Sequence, residues 1–325
     1  MMMKKLIVMA LVMMIFSGCK AGVQTENSVE KTAGGLVREP REVSEFNSIS
    51  LIGAFKVVCT LGSKVSVMVE STKGELENLQ TEVKNGVLTV SRKKIAGVRV
   101  AYGKDNERTT VYVTVPVLKK VSLVGSGDIV VKGKVKSDDA LNVSLSGSGD
   151  IEMDDVDVKF AKFSLAGSGD VRVANAKGLQ VDLQLAGSGD MDVKSVDADG
   201  VKVSLAGSGD VKVGQVKAAN VSVSATGSGD MEIDKVDCAV LTVSQTSSCD
   251  MTINNVKAVN TNVSKIGSGD LRIAGTTNTY SKTSQGSGDI YDKNLKYGEI
   301  KQKNSRVMTV STSAPTSPNG IEARP

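Results

Sequence analysis

The sequence predicts an all-β protein built as a parallel β-solenoid, a single-stranded β-helix of about 20 residues per coil with an irregular β portion ahead of it. Three observations carry the prediction. One tetrapeptide recurs at nearly constant spacing, the residues between its copies alternate apolar with polar, and no stretch of the repeat has a helical period.

The tetrapeptide Gly-Ser-Gly-Asp ends at Asp128, Asp150, Asp170, Asp190, Asp210, Asp230, Asp270 and Asp289, and the variant Ser247-Ser248-Cys249-Asp250 fills the remaining slot. Successive aspartates are separated by 22, 20, 20, 20, 20, 20, 20 and 19 residues. Counted from the residue after each aspartate, the apolar positions are 1, 3, 6, 11, 13 and usually 15. In one unit these are Met191, Val193, Val196, Val201, Val203 and Leu205. The first pair and the last trio have the period of strands with one buried face. Each unit therefore reads as two short strands and two corners, with Gly-Ser-Gly-Asp as one corner. A single unit buries too little to fold alone, so stability must come from stacking like strand on like strand. Coils would rise by about 4.8 Å, and parallel crossovers favour a right-handed winding. Leucine-rich repeats have a similar period, but their Leu-x-x-Leu-x-Leu pattern and asparagine column are absent.

Ahead of the repeats, strands are expected over Ser50 to Val58, Ser63 to Glu70, Gly86 to Arg92, Ile95 to Tyr102 and Arg108 to Val115. Residues 43–120 read as irregular coils capping a solenoid that occupies 121–300. At the far end the pattern turns polar, at Ser281, Thr283 and Asp292, as an end cap requires. Residues 301–325 read as the C-terminal end and a disordered tail, polar and proline-containing.

The first nineteen residues bear on the compartment. Lys4 and Lys5 precede an apolar stretch from Leu6 to Phe16, too short to cross a bilayer as a helix and suited to a signal peptide. Phe16-Ser17-Gly18-Cys19 resembles the lipobox of bacterial lipoproteins, with Phe16 where leucine is usual. That resemblance implies lipidation of Cys19 and an anchor in the outer membrane of a Gram-negative envelope. An ordinary signal peptide is the alternative. Residues 20–42 then form a flexible tether.

Composition narrows the chemistry. The chain has no histidine and no tryptophan, so Ser-His and Cys-His nucleophile pairs and most zinc sites are excluded. A net charge of +4 from 40 basic and 36 acidic residues leaves no nucleic-acid footprint. Beyond Cys19, the odd set Cys59, Cys238 and Cys249 is no disulfide framework. Constant loop lengths leave no walls for the cleft of a carbohydrate-active β-helix enzyme. Exposed lysines such as Lys202 and Lys212 read as solvated faces, with contact to anionic glycans as the sharper reading.

The candidate site is the turn ladder. Stacking places Asp128, Asp150, Asp170, Asp190, Asp210, Asp230, Asp250, Asp270 and Asp289 in one column and Ser126, Ser148, Ser168, Ser188, Ser208, Ser228, Ser248, Ser268 and Ser287 in another. Unit charges about 4.8 Å apart repel by roughly 3.5 kcal/mol at an effective dielectric of 20. Something must therefore hold each carboxylate. Turn amides or the serine hydroxyls would do so locally. A row of calcium ions is the alternative, but one aspartate per coil supplies few oxygens. No metal or other cofactor is expected.

The order Phe46-Asn47-Ser48-Ile49, Gly53-Ala54-Phe55-Lys56-Val57, Asn85-Gly86-Val87-Leu88-Thr89-Val90, Val115-Pro116-Val117-Leu118 and then repeated Gly-Ser-Gly-Asp resembles the head GIN domain family over residues 43–300. The resemblance implies an all-β solenoid in an exported adhesin head and carries no catalytic residues. The expected function is a non-enzymatic, lipid-anchored envelope protein that meets a glycan or protein ligand at the cell surface. A purely architectural spacer is the second reading. Ligand and oligomeric state are not legible.

Overall fold

The computed structural model describes residues 30–31, 35–93, 109–246 and 248–300. Its strands follow chain order. They begin with β1 (Glu30–Lys31), β2 (Val37–Arg41), β3 (Ser48–Gly53), β4 (Lys56–Leu61) and β5 (Ser66–Ser71). A short helix α1 (Lys73–Asn78) leads to β6 (Leu79–Lys84), β7 (Val87–Arg92), β8 (Thr110–Val115) and β9 (Lys120–Gly125). The repeat supplies β10 (Asp128–Gly147), β11 (Ile151–Leu165), β12 (Val171–Leu185), β13 (Met191–Gly207), β14 (Val211–Gly227), β15 (Met231–Thr246), β16 (Met251–Ile266) and β17 (Leu271–Gln285). Two strands close the described chain, β18 (Ile290–Tyr291) and β19 (Leu295–Ile300).

From β10 to β17 each strand pairs in parallel with the next, and the 20-residue offset is kept without slippage from β11 to β15. The molecule is thus the parallel β-solenoid that the periodicity predicts. Val171 lies on Met191 and then Val211, while Leu183 lies on Val203 and Val223. These columns are closed to solvent and merge into one continuous core. Burying them is the main favourable term, because no coil can shield its own inward face.

The coil has three sides rather than the two expected from sequence. In β13 the buried side chains are Met191 and Val193, then Val196 and Ala198, then Val201, Val203 and Leu205. The inward set changes phase twice, so one residue is absorbed at each of two corners. Between β12 and β13 the parallel ladder skips the rungs at Ala174 and Leu179, which are those corners. Position 8 therefore faces inward, which the small side chains there obscured. Departures from the 20-residue period fall at corners too. The longer coil from Asp128 carries register shifts between Val131 and Lys134 and between Ser137 and Ala140. The shorter last coil is shifted between Ile253 and Val256 relative to its neighbour.

The irregular portion continues the stack and then closes it. Strand β9 lies in parallel on β3, and β3 on β7, so the columns run on through Leu51 and Leu88. Strand β7 then folds back antiparallel on β6 across Asn85-Gly86, both at positive φ (51° and 73°), the twist that a two-residue hairpin needs. The expected first strand is divided at Gly53, whose φ is 133°. Part of the expected tether is strand instead: Val37–Arg41 pairs antiparallel with Ser66–Ser71. Helix α1, which seats Leu76 in the core, was not anticipated, being too short for a visible helical period. The strand expected over Ile95 to Tyr102, the signal segment with Cys19 and the tail from 301 lie outside the described residues.

At the far end, buried Tyr280 donates to Asp292 at 3.0 Å, and Lys282 pairs with the same carboxylate at 2.5 Å. The Tyr280 ring rests on Tyr297, with centroids 5.4 Å apart. This polar lid replaces the aliphatic columns where stacking stops.

Candidate functional site

The Gly-Ser-Gly-Asp corner is built almost entirely from backbone. The N–H of Ser168 donates to the carbonyl of Gly147 at 2.8 Å, and Ser188 repeats this on Gly167 at 2.8 Å. The N–H of the second glycine shares that acceptor over a longer distance, 3.2 Å from Gly169 to Gly147. Successive turns approach so closely that a Cβ on Gly169 would lie 1.8 Å from the carbonyl oxygen of Gly149. A side chain there must displace the neighbouring backbone, which explains why two glycines recur in eight of the nine corners.

With both preceding N–H groups on one carbonyl, the aspartate N–H needs another acceptor. It takes Oδ1 of the aspartate one coil earlier: Asp170 on Asp150 at 2.9 Å, Asp190 on Asp170 at 3.0 Å, Asp210 on Asp190 at 3.0 Å and Asp230 on Asp210 at 2.8 Å. The same bond joins Asp150 to Asp128, Asp250 to Asp230, Asp270 to Asp250 and Asp289 to Asp270, making an unbroken ladder of eight rungs. The aspartate carbonyl in turn accepts the N–H at position 1 of the preceding coil, as from Ile151 to Asp170 at 2.9 Å. Each carboxylate thus replaces a main-chain acceptor, and its charge strengthens the bond.

The serine column differs from expectation. All nine serines, Ser126, Ser148, Ser168, Ser188, Ser208, Ser228, Ser248, Ser268 and Ser287, are exposed. Among the described residues, none of their hydroxyls bonds an aspartate carboxylate; Ser268 donates to the hydroxyl of Ser248 at 3.0 Å. Their contribution to the turn is the main-chain N–H, and nothing in the geometry explains why the residue is serine. Two arginines were missed. Arg172 reaches Asp170 at 2.5 Å and Asp150 at 3.4 Å, and Arg272 reaches Asp270 at 3.4 Å and Asp250 at 3.6 Å. Each tempers the repulsion between two neighbours. Between them Asp190, Asp210 and Asp230 stand exposed, above a shallow depression of about 250 Å³ lined by Asp170, Arg172, Asp192, Asp210 and Lys212. Among the described residues, no group of three or more metal-binding side chains is disposed to hold an ion.

The variant corner is compensated from inside. At position 15, where preceding coils place Leu185, Leu205 and Ala225, this coil has Gln245 and the next has Lys265. Both are buried, at 0% and 1% exposure. The Gln245 amide donates to the carbonyls of Cys249 and, at 3.3 Å, Asp270, while its Oε1 has no partner among the described residues. Lys265 donates to the Gly267 carbonyl at 3.1 Å. Aligning the units would have revealed both as polar breaks in an aliphatic column. Burial pushes the Cys59 thiol up to about 12 and, with help from Asp237, Cys238 to about 11, so neither is a ready nucleophile. Lys212 pairs with Glu232 at 3.2 Å rather than standing free for an anion.

Fold and corner together define a capped β-solenoid whose repeated edge is a structural ladder. The family model described as "putative auto-transporter adhesin, head GIN domain" matches residues 45–234, more than half of the chain, and the chain belongs to that family. A second model, described as Toastrack, matches residues 179–299. No curated protein matches the sequence. Solved structures share the fold. A putative adhesin from Parabacteroides distasonis is 19% identical with a TM-score of 0.61, over 80% of this chain and 97% of its own. A putative adhesin from Parabacteroides merdae is 16% identical with a TM-score of 0.55, over 84% and 98%. A putative lipid binding protein from Parabacteroides distasonis is 18% identical with a TM-score of 0.50, over 84% and 98%.

Proposed function

We propose that this chain is a non-enzymatic adhesin of the cell envelope, anchored by a lipid on Cys19 and presenting its solenoid to a glycan or protein ligand. The observation that carries the reading is the constancy of the repeated edge. From Ile151 to Asp270 each coil returns at the same register, with no loop inserted to wall a cleft. Such a body offers long flat faces, which suit contact with an extended surface better than enclosure of a small substrate. Family membership and the names of the structural neighbours support a surface role. A rigid architectural spacer is the second reading, favoured by the engagement of every ladder carboxylate up to Asp270 in a main-chain bond.

The test is binding of the full chain to immobilised glycans and extracellular-matrix proteins. Saturable binding to one class supports adhesion, and no binding to any leaves the spacer reading. Anchoring is tested separately by labelling with a lipid precursor in a Gram-negative host. Wild type is expected to take up label and Cys19→Ala to lose it; equal label in both removes the anchor from the reading.

A further inference from the structure

One face of the coil carries charges in strict alternation. At position 7 the stacked partners are Asp157, Lys177, Asp197, Lys217, Asp237 and Lys257, each paired in register with the next. All six side chains are exposed or half-exposed. The comparable column at position 2 is largely consumed within the chain, by Arg172 on Asp150 and Asp170 and by Lys212 on Glu232. At position 7, Asp157 pairs with Lys134 at 2.8 Å and Lys257 only approaches Asp237 at 4.0 Å, while Lys177, Asp197 and Lys217 at the centre of the row have no ion-pair partner among the described residues. Beside this ridge runs a shallow groove of about 350 Å³, floored by Ala198, Ala218 and Cys238 and open along the solenoid.

An even-numbered alternating row is complementary to itself when reversed. If a two-fold axis crosses the face midway between Asp197 and Lys217, Asp197 of one copy meets Lys217 of the other, Lys177 meets Asp237 and Asp157 meets Lys257. Every rung finds its opposite. One step further out, Lys136 would meet the uncharged Thr276, so no like charges oppose. Two copies aligned in the same direction instead set Asp on Asp and Lys on Lys. Sliding one of them by a coil restores the match only in an open, non-closing arrangement. The antiparallel pair alone is both closed and complementary.

We infer that this face binds a second copy of the same chain in antiparallel orientation. The contact is short, about 24 Å for five coil intervals at about 4.8 Å each, so a single pair is weak and many displayed pairs act together. Because the coils stack in chain order, antiparallel pairing sends the two N-terminal ends in opposite directions. On the reading of a surface adhesin proposed above, that is the geometry of copies on two opposed cells.

The experiment makes the row single-signed. One variant carries Asp157→Lys, Asp197→Lys and Asp237→Lys, and the other Lys177→Asp, Lys217→Asp and Lys257→Asp. Neither then matches itself in any register, while the two match each other at every rung. Immobilised full-length chain is challenged with labelled full-length chain, wild type against itself, each variant against itself and the two variants together, at about 0.05 M and 1 M salt. Wild type is expected to capture wild type, and the two variants to capture each other. Capture of either variant by itself should be lower by about tenfold, with the difference vanishing at high salt. Self-capture of the variants equal to that of wild type, or no wild-type capture at low salt, overturns the inference. Should either variant fail to fold, Asp197→Lys and Lys217→Asp alone repeat the comparison in weaker form, with the same overturning result. Because no foreign ligand is present, self-pairing can fail while glycan or matrix binding survives, and the reverse, so the two readings fall separately.

Discussion

The main-chain N–H of Asp230 donates to Oδ1 of Asp210 at 2.8 Å. The side chain of one coil thereby completes the backbone of the next. This places the aspartate column among the elements that hold coils together, although its charges oppose stacking. Asp210→Ala leaves the Asp230 N–H without its acceptor and is expected to destabilise by about 1–3 kcal/mol. Asp210→Asn keeps an acceptor and removes repulsion from Asp190 and Asp230, so its loss should be smaller. Thermal unfolding of the three chains measures the order. Calcium or a chelator should leave all three midpoints unchanged, and a calcium-dependent rise in the wild type would contradict a purely main-chain role.

Coil units should be exchangeable as wholes. Removing Val171 to Asp190 brings Asp170 directly before Met191, preserving the ladder, the glycine stack and the inward columns. Removing ten residues from the same coil breaks all three. The first deletion is expected to unfold in one transition near the wild-type midpoint, and the second to lose most of its structure by circular dichroism. Similar behaviour of the two would contradict stacking as the source of stability.

Much of this was legible because the repeat displays its own alignment. Recurrent aspartate and glycine signalled a shared requirement, met by the Asp ladder and the glycine stack. The third side of the coil was hidden because position 8 holds residues such as Ala198, Ala218 and Cys238, whose small size gives no clear inward signal. The alternation of Asp157, Lys177, Asp197 and Lys217 was equally present in the sequence. Its meaning depends on register, since charges twenty residues apart are neighbours only once the coils are stacked. The serine column shows the converse: a perfect recurrence whose hydroxyls take no part in holding the carboxylates among the described residues.

Buried titrating groups predict loss of stability at high pH. The Cys59 thiol rises from 9.0 to about 12 and Cys238 from 9.0 to about 11, chiefly through burial, and burial also raises Tyr280. In the unfolded chain these groups ionise at their ordinary values, while the folded chain keeps them protonated. Their contribution is therefore complete below about pH 9 and falls as pH rises towards the folded values. Urea midpoints should decline progressively between about pH 9 and pH 11. A Cys59→Ala, Cys238→Ala double variant, less stable at neutral pH, should show a shallower decline. An unchanged slope would mean that other groups control the alkaline limit.

The coil that departs from the repeat, at Gln245, Ser247 and Cys249, allows the last prediction, because two of its departures are coupled. Cys249 stands where other corners have glycine, and Gln245 stands where preceding coils have leucine or alanine. The Gln245 amide donates to the Cys249 carbonyl. Gln245→Leu alone strips a donor from the carbonyls of Cys249 and Asp270 inside the core, which should destabilise by about 1–3 kcal/mol. Cys249→Gly alone leaves Gln245 buried with Oε1 still unpaired and recovers little. Together the substitutions restore the leucine and the second glycine of the preceding coils, with Ser247 unchanged, and remove the orphaned oxygen. The double variant should then approach or exceed wild-type stability, with a coupling of about 0.5–3 kcal/mol in a double-mutant cycle read from urea unfolding. Simple additivity of the two single effects would show that the glutamine does not compensate for the altered corner.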